Sequence, residues 1–282
     1  MSSPPSDTAN LALYCDFENV ALGVRDARYD KFDISKVLER LLLKGSIVVK
    51  KAYCDWDRYK EFKAAMHQAS FELIEIPHVR QSGKNSADIR MVVDALDLCY
   101  TKSHVDTFVI ISGDSDFSPL VSKLRENNKT VIGVGVKNST SDLLIANCDE
   151  FIYYDDLVRE KPARKRPSTR RRPEERASGA AGEPPKDTGK AAARATEEDR
   201  NGEAIELVRE TYDALVSERG SEEKIWGSMV KQALKRRKPG FNEGYYGFSS
   251  FNRLLEEAQT RRELALERDE KSGGYVVRAF QD

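Results

Sequence analysis

The sequence predicts an α/β fold with a doubly wound, mostly parallel sheet, joined by a disordered linker to a small winged helix-turn-helix domain. Short apolar runs rich in β-branched residues alternate with helical patterns from Leu11 to Leu157. A stretch of Pro, Ala, Gly and charged residues follows, between Arg159 and about Arg200. Beyond it, three amphipathic helical patterns precede two alternating runs around a Ser-Gly-Gly turn. These three observations predict two folded domains.

The first domain is expected to cover residues 11–158. Its strands are predicted at LALYCD, SIVVKKAYC, FELIEIP, DTFVIIS, KTVIGVGV and EFIYY. Its helices are predicted at ISKVLERLLL, DRYKEFKAAMHQAS, SADIRMVVDALDLCY, DFSPLVSKLREN and SDLLIANC. Apolar, β-branched runs suit strands that are covered on both faces, so helices should lie on both sides of a parallel sheet.

The segments that flank this domain have a different composition. Residues 1–10 are typical of a disordered leader. Residues 159–201 carry no large aliphatic or aromatic side chain, so they cannot bury enough surface to offset their conformational entropy. We therefore expect a disordered linker. Its basic run, RKRPSTRRR, could be a solubilising tether or a non-specific phosphate-binding arm.

The second domain is expected to cover residues 202–282. Three patterns each place apolar residues on one helical face: AIELVRETYDALV, IWGSMVKQALKRR and FSSFNRLLEEAQ. The segment ELALERDEKSGGYVVRAF then predicts a β-hairpin. Three helices closed by a hairpin are typical of a winged helix-turn-helix.

Composition excludes several classes of protein. No secretory signal is recognisable, and no apolar run approaches the ~18 residues of a membrane span. Charged residues make up 33% of the chain, which indicates a soluble protein with some highly polar stretches. No C-x-x-C pair is present, so the cysteines should be reduced and packed. The histidines are scattered and support neither a zinc site nor a Cys/His nucleophile; the residues concerned are Cys15, Cys54, Cys99, Cys148, His67, His78 and His104.

Carboxylates follow two of the predicted strands. Asp16 ends the first strand, and Asp114 and Asp116 follow DTFVII. Asp88 lies in the first turn of the helix that precedes the second of these strands. In an open parallel sheet, ligands bind beyond the carboxyl ends of the strands, near the point where the strand order reverses. We therefore expect these four carboxylates to converge on one crevice.

A helical wheel predicts the orientation of the carboxylates on that helix. It places Asp88 at the edge of a buried stripe and points Asp94 and Asp97 away from it. The stripe consists of Ile89, Val92, Leu96 and Cys99.

Clustered carboxylates repel one another unless a cation is present, and oxygen ligands favour Mg²⁺ or Mn²⁺ over zinc. One or two such ions support the hydrolysis of phosphodiester bonds. Each residue taken alone also has a structural interpretation, because Asp16, Asp88 and Asp114 could be helix caps or turn residues. Their joint position at strand ends favours the metal site.

The chain resembles the NYN family, a branch of the PIN-like metal-dependent nucleases, over roughly residues 11–157. The motifs that carry the resemblance are YCDFENV, GKNSADIRMVVDAL, VIISGDSDFSPLVSKLRENNKTVIGVGV and TSDLLIANCDEFIYYDDL. It implies that Asp16, Asp88, Asp114 and Asp116 form an acidic metal-binding set. It also implies that Asn19 and Ser112 orient ligands or water. Asp94 falls on a further acidic position that is common in the family.

The C-terminal segment SMVKQALKRRKPGFNEGYYGFSSFNRLLEEA resembles an OST-HTH, or LOTUS, domain. The resemblance implies RNA binding and, in some members, protein interaction. Phe248 and Phe251 lie at helical spacing and are expected in the core. Four consecutive cations could contact RNA phosphates or simply suit the end of a helix; they are Lys235, Arg236, Arg237 and Lys238.

The loop HVRQSGKNS precedes Asp88 and contains Arg80 and Lys84. These two cations could hold the RNA backbone beside the acidic crevice, or they could belong to an exposed surface turn.

Together these observations predict a cytoplasmic, Mg²⁺- or Mn²⁺-dependent ribonuclease with a C-terminal RNA-binding domain. Asp16, Asp88 and Asp114 would hold the metal, and Asp116 would complete the cluster or position the attacking water. The alternative is a catalytically silent adaptor that binds RNA or recruits proteins. A phosphatase of the haloacid dehalogenase type is disfavoured, because it needs an Asp-x-Asp pair where this chain has Glu18 in the second place.

Overall fold

A computed structural model describes residues 9–76, 86–159, 188–219, 223–269 and 273–280, with only the backbone for residues 188–197. Within the described parts of residues 9–159, six parallel strands form one sheet in the order β3-β2-β1-β4-β5-β6. The strands are β1 (Ala9–Asp16), β2 (Gly45–Cys54), β3 (Glu72–Glu75), β4 (Thr107–Ile111), β5 (Thr130–Gly135) and β6 (Glu150–Tyr153). The predicted parallel α/β sheet is therefore confirmed.

Helices cover both faces of the sheet. They are α1 (Phe17–Asp26), α2 (Ile34–Leu42), α3 (Lys60–Gln68), α4 (Ser86–Thr101), α5 (Ser118–Glu126), α6 (Asp142–Asn147) and α7 (Tyr154–Val158). Successive residues of β1 face opposite sides. Leu11 and Leu13 pack into a core with α1, α2, α3 and α7, whereas Ala12 and Tyr14 pack against α4, α5 and α6. The position of the site depends on these two cores, because they hold the strand ends in register.

Helix α1 was not predicted. It begins directly after β1, and its inner face carries the buried residues Phe17, Val20 and Val24. Asp16 is its N-cap and ends the strand at the same time. The acidic and amide residues between these apolar positions are typical of a polar loop. The helical spacing of the apolar residues was therefore not recognised.

The predicted orientation of α4 was only partly right, since Cys99 is buried as predicted but Ile89 and Asp94 lie on the opposite sides from those predicted. Ile89, placed in the buried stripe, is 63% exposed, and the buried residues are Met91, Ala95 and Cys99. Asp94 does not point away from the protein, since its side chain is 12% exposed. The inner face is rotated because Met91, absent from the predicted stripe, is the residue that packs on the sheet.

The second domain packs three helices and a small antiparallel sheet of order β7-β9-β8 around its own core. Its described elements are α8 (Thr188–Arg219), β7 (Ile225–Trp226), α9 (Gly227–Arg237), α10 (Phe251–Thr260), β8 (Leu264–Arg268) and β9 (Tyr275–Ala279). The core includes Val208, Val230, Leu234, Leu254, Leu255, Leu264 and Val277.

Several boundaries differ from the prediction. Helix α8 begins at Thr188, so residues 188–201 of the predicted linker are helical, while residues 160–187 and the leader residues 1–8 lie outside the described residues. Ile225 and Trp226 form a strand rather than a helical turn, because they pair with Val277 and Val276 of β9. Helix α10 begins after its N-cap Ser250, so Phe248 lies outside it, although it still packs partly against the core.

The two domains are in contact along the edge strand β6. The carbonyl oxygen of Pro239 accepts a hydrogen bond of 3.0 Å from the Phe151 N–H. The Asn242 amide donates to Asp156 Oδ2 at 2.8 Å. Gly240 packs so closely on Tyr153 that a Cβ at this position would lie 2.8 Å from the tyrosine oxygen.

An ion-pair cluster supports the same contact. Glu150 lies between Lys44 of the first domain, at 2.6 Å, and Lys235 of the second domain, at 3.7 Å. Burial opposes ionisation of this carboxyl, but the two lysines hold the pKa of Glu150 below its ordinary value. The second domain thus contributes to the electrostatic environment of the first. Among the described helices, none is both long and apolar enough to cross a membrane.

Candidate functional site

The site lies where the strand order reverses. The chain proceeds from β1 outward to β2 and β3, and then returns to place β4 on the other side of β1. Cys15 of β1 pairs with Ile111 of β4, so the next residues, Asp16 and Ser112, emerge side by side at the carboxyl ends of adjacent strands. This is the position at which open parallel sheets bind their ligands.

Asp16 has a buried carboxylate that accepts hydrogen bonds from two neighbouring groups. The residue is 8% exposed. Its Oδ2 accepts a hydrogen bond of 2.9 Å from the Ser112 hydroxyl, and its Oδ1 accepts one of 3.3 Å from the Asn19 N–H. The side chain therefore connects β4 to the first turn of α1.

Ser112 and Asn19 extend these hydrogen bonds into the turn after β4. The fully buried Ser112 hydroxyl accepts a hydrogen bond of 3.2 Å from the Asp114 N–H. Asn19 Oδ1 accepts one of 2.8 Å from the Gly113 N–H. Asp114 then caps a short 3-10 turn by accepting a hydrogen bond from the Asp116 N–H at 3.0 Å. One continuous network therefore fixes Asp16 relative to Asp114.

Asp88 approaches this network from the first turn of α4 and is partly buried. Burial is the main cause that raises its pKa to about 6, and the charges of Asp114, Asp116 and Glu18 add to it. Burial likewise raises the pKa of Asp16 to about 7; Asp88 and Asp114 contribute, while the hydrogen bonds from Ser112 and Asn19 oppose the shift. Neighbouring carboxylates thus make the ionisation of both Asp16 and Asp88 more costly.

The oxygen atoms of these residues are suitable ligands for a hard divalent cation. The residues offer carboxylate and amide oxygens, and their mutual repulsion is the kind that a cation relieves. They do not form a preassembled coordination shell: within the described ranges, no three His, Cys, Asp or Glu side chains are grouped so that they could hold a metal ion.

Glu18 is a further acidic residue that sequence reasoning did not assign to the site. It lies two residues after Asp16 in the first turn of α1, and its charge acts on Asp88. Its Oε1 accepts a hydrogen bond of 2.9 Å from Arg58 Nη1, which comes from the loop after β2. Recognition of α1 in the sequence would have placed Glu18 on the same rim, whereas nothing in the sequence links it to Arg58.

Asp94, in contrast to Asp88, has a side chain that joins α4 to the sheet. Its carboxylate accepts hydrogen bonds from the Tyr53 hydroxyl at 2.9 Å and from Arg90 Nε at 3.0 Å, and it lies 3.5 Å from Lys51 Nζ. These contacts fasten α4 to β2. Asp94 therefore supports the helix that carries Asp88.

An open cleft of about 640 Å³ adjoins the acidic rim. Asp116 lies at its border, and the cleft continues along the start of α5 towards the exposed Leu143. Ser115, Ser118 and Ser122 line it, although the Ser118 hydroxyl oxygen is buried and has no hydrogen-bond partner among the described residues. A sugar or base next to the carboxylates would find both polar and apolar surface here.

The cations predicted to bind RNA have different environments. Arg80 and Lys84 lie outside the described residues. Lys235 is engaged with Glu150 at the contact between the domains. Arg237 is exposed, and its Nη1 lies 3.4 Å from Thr211 Oγ1 and from the Glu210 carbonyl. Arg236 and Lys238 are also exposed.

Comparison with known proteins gives a family match to the first domain. The family described as NYN domain matches residues 10–155, about half of the chain. A meiosis regulator and mRNA stability factor of Xenopus tropicalis is 25% identical over 154 residues, which are 55% of this chain and 9% of that protein. An uncharacterized protein of Methanocaldococcus jannaschii is 28% identical over 137 residues, which are 48% of this chain and 54% of that protein.

A solved structure is also similar to part of the chain. It is a protein of unknown function from Vibrio parahaemolyticus, 28% identical, with a TM-score of 0.48. The match covers 55% of this chain and 98% of that one. The chain spans about half the length of the archaeal relative and a small part of the Xenopus protein.

Proposed function

Because the chain belongs to the NYN domain family, we propose that it is a Mg²⁺- or Mn²⁺-dependent ribonuclease that acts in RNA processing or turnover. NYN domains have a PIN-like nuclease fold, and the six-stranded sheet fits that fold. RNA as the substrate is supported by the similarity to proteins named as mRNA stability factors.

One observation carries the proposal. Asp16 and Asp114, 98 positions apart in the chain, are fixed by hydrogen bonds through Ser112 at the ends of two adjacent strands. Asp88 lies near enough for its charge to act on Asp16. Helix caps without a common function have no reason to meet at the reversal of the strand order.

Each residue has a role in the proposal. Asp16, Asp88 and Asp114 hold the metal, and Asp116 completes the cluster or orients the attacking water. Ser112 and Asn19 orient Asp16 through the hydrogen bonds described above. When bound, the metal lowers the pKa of a water molecule and stabilises the leaving oxygen. The cleft beside Asp116 accommodates a neighbouring nucleotide.

The proposal for the second domain is an OST-HTH, or LOTUS, module that binds RNA and offers a surface for a protein partner. Three helices and an antiparallel pair of strands in the described residues support it. The exposed cations Arg236, Arg237 and Lys238 are candidates for phosphate contacts. The proposed domains are residues 11–158 and 202–282. A cytoplasmic location is supported by four buried cysteines with free thiols.

Cleavage of a labelled single-stranded RNA tests the enzyme. We expect turnover with Mg²⁺ or Mn²⁺ that EDTA stops. Asp16→Asn and Asp114→Asn should each abolish it, because the amide lacks the negative charge that the carboxylate contributes to metal binding, while the circular dichroism spectrum stays unchanged. Asp97→Asn is the matched control, since Asp97 is an exposed carboxylate further along α4. Undiminished metal-dependent cleavage by the purified Asp16→Asn/Asp114→Asn double variant would refute the assignment.

The second candidate function is a catalytically silent adaptor that binds RNA or recruits proteins. It is favoured by the lack of a preassembled group of three metal ligands in the described ranges. The same assay discriminates the two functions. Binding of RNA that remains intact in both Mg²⁺ and Mn²⁺ would establish the adaptor.

A further inference from the structure

Three cations from separate segments surround one tyrosine where the two domains meet. Lys137 Nζ lies 3.8 Å from the centre of the Tyr245 ring. Arg200 and Arg159 approach the same ring, with Cζ at 5.4 Å and 5.5 Å. Lys137 follows β5, Arg159 follows α7, and Arg200 belongs to α8, so this cation cluster forms only when the domains are docked.

The cations of the cluster lie near carboxylates without being directly paired to them; the charges of Arg159 and Lys137 act on Asp156. None of the three cations forms an ion pair with another described residue. Two carboxylates lie nearby, but both accept hydrogen bonds from neutral donors. Asp155 binds the Lys137 N–H at 2.8 Å and the Tyr29 hydroxyl at 3.0 Å, and Asp156 binds the Asn242 amide.

Aromatic side chains are interleaved with these cations. Tyr245 packs edge-to-face on Tyr246, with ring centres 4.9 Å apart. Tyr246 stacks on Phe241 at 5.3 Å. Clustered cations with aromatic rings between them are the combination that binds single-stranded nucleic acid, because the cations hold phosphates while the rings stack on bases. Burial raises the pKa of Tyr246 to about 12, and the charge of nearby Glu203 adds to this shift.

The cation cluster lies on the same rim of the sheet as the acidic site. Lys137 comes two residues after the end of β5, and β5 lies next to β4. Parallel strands are spaced by about 4.8 Å, so the ends of β5 and β1 are about 10 Å apart. A direct contact connects the two places, since the Ser141 N–H donates to the Gly113 carbonyl at 2.9 Å. A few nucleotides would span this distance.

We propose that Lys137, Arg159 and Arg200, arranged around Tyr245, form a binding site for the backbone of single-stranded RNA beside the acidic rim. The inference rests on the proposed ribonuclease function and adds a contribution of the docked second domain to substrate binding. RNA held here extends along the rim towards Asp114.

Fluorescence anisotropy with the full chain tests the site. The probe is a labelled single-stranded RNA of about 15 nucleotides in EDTA, so that it stays intact. We expect Lys137→Glu to weaken binding by about tenfold and to reduce the slope of log K against log salt by about 0.7 or more, since a phosphate contact is lost. Arg159→Glu should have a similar effect, and it provides a second variant should Lys137→Glu unfold the chain.

Lys102→Glu is the matched control. Lys102 is an exposed lysine after α4, at the opposite end of the sheet, and the same change in charge there should alter affinity by less than about twofold. Equal affinities for the Lys137→Glu, Arg159→Glu and Lys102→Glu proteins would overturn the site.

Three further outcomes distinguish RNA binding at this site from the alternatives. If the wild-type chain binds and cleaves RNA but Lys137→Glu and Arg159→Glu change nothing, only the site at the domain contact is refuted. If the wild-type chain does not bind RNA at all, the proposed function falls as well. If poly-glutamate competes with RNA equally well and loses affinity in the same variants, the surface binds acidic polypeptides, and the assignment to RNA is overturned.

Discussion

At the scale of single residues, Ser112 links two of the carboxylates of the site. Its buried hydroxyl donates to Asp16 and accepts from the Asp114 N–H. We expect Ser112→Ala to leave both partners unsatisfied, to lower the free energy of unfolding by about 1–3 kcal/mol and to raise the pKa of Asp16 further. Urea denaturation and NMR titration of Asp16 measure the two effects.

Ser122→Ala is a suitable control for that change. The Ser122 hydroxyl is exposed, and its contact with Asn147 Oδ1 is long, at 3.4 Å. Its loss should alter stability by no more than about 0.5 kcal/mol. Equal effects of the two substitutions would mean that the hydrogen bonds of Ser112 do not hold the site together.

Asp16 gives the metal-free protein a characteristic dependence on pH. The pKa of this carboxyl rises from 3.8 to about 7 on folding, mainly through burial. Between about pH 4 and pH 7 the folded state binds a proton that the unfolded state has released, so stability falls as the pH rises through this window. In EDTA, Asp16→Asn should thus be more stable than wild type at about pH 8, by up to about 4 kcal/mol.

The comparison is made by denaturing both proteins at several pH values. The two proteins should converge below about pH 3, where Asp16 is protonated in both the folded and the unfolded state. A difference in unfolding free energy that stays constant from about pH 4 to pH 8 would contradict the raised pKa.

At the scale of elements, the site depends on the close approach of the turn after β4 to the segment after β5. A Cβ on Gly113 would lie 2.4 Å from the Ser139 carbonyl oxygen. Because backbone cannot move aside as a side chain can, Gly113→Ala should lower the free energy of unfolding by about 1–3 kcal/mol. It should also reduce cleavage, since the Gly113 N–H binds Asn19. Thermal unfolding and the RNA assay measure both losses.

Gly202→Ala is a control of opposite sign. No described atom lies within 4 Å of a Cβ at Gly202, which is inside α8. Alanine there should stabilise the helix by about 0.5–1 kcal/mol. If Gly113→Ala were equally harmless, the two segments would not be closely packed in solution.

The elements also mark the limits of prediction from sequence. The alternation of β-branched runs with amphipathic patterns was sufficient for the parallel sheet, because both signals are local. Helix α1 was missed, since Glu18 and Asn19 lie between its buried positions Phe17 and Val20. The face of α4 was rotated because Ile89 is apolar yet exposed, and burial depends on the neighbouring elements rather than on the residue itself.

The carboxylates were easier to predict than their surroundings. Asp16 and Asp114 follow strands, and the topology of a parallel sheet brings such positions to one rim. The Arg58–Glu18 pair and the cation cluster involve segments that only the tertiary fold brings together. No sequence motif or spacing predicts either of these two contacts.

At the scale of the whole molecule, the docking of the two domains can be tested directly. Gly240 packs against the Tyr153 ring, so Gly240→Val should push the second domain away from β6. We expect an increased radius of gyration in small-angle X-ray scattering and a loss of RNA affinity similar to that of Lys137→Glu. Both follow from separating Tyr245 from Lys137.

Gly244→Ala serves as the control for docking, because a Cβ there would lie 3.4 Å from Asn242 Oδ1, an ordinary van der Waals distance, and Gly244 is exposed. Scattering curves that coincide for wild type and Gly240→Val would show that this glycine does not determine how the domains are arranged.

The contact between Pro239 and β6 has a consequence for aggregation. An uncovered edge strand invites other chains to add strands to it. Pro239 offers its carbonyl to Phe151 but has no N–H to continue the ladder, so it ends strand addition instead of extending it. The second domain thus shields the first from amyloid-like growth, and a chain that ended at Arg159 would have an open edge at β6 that favours precipitation.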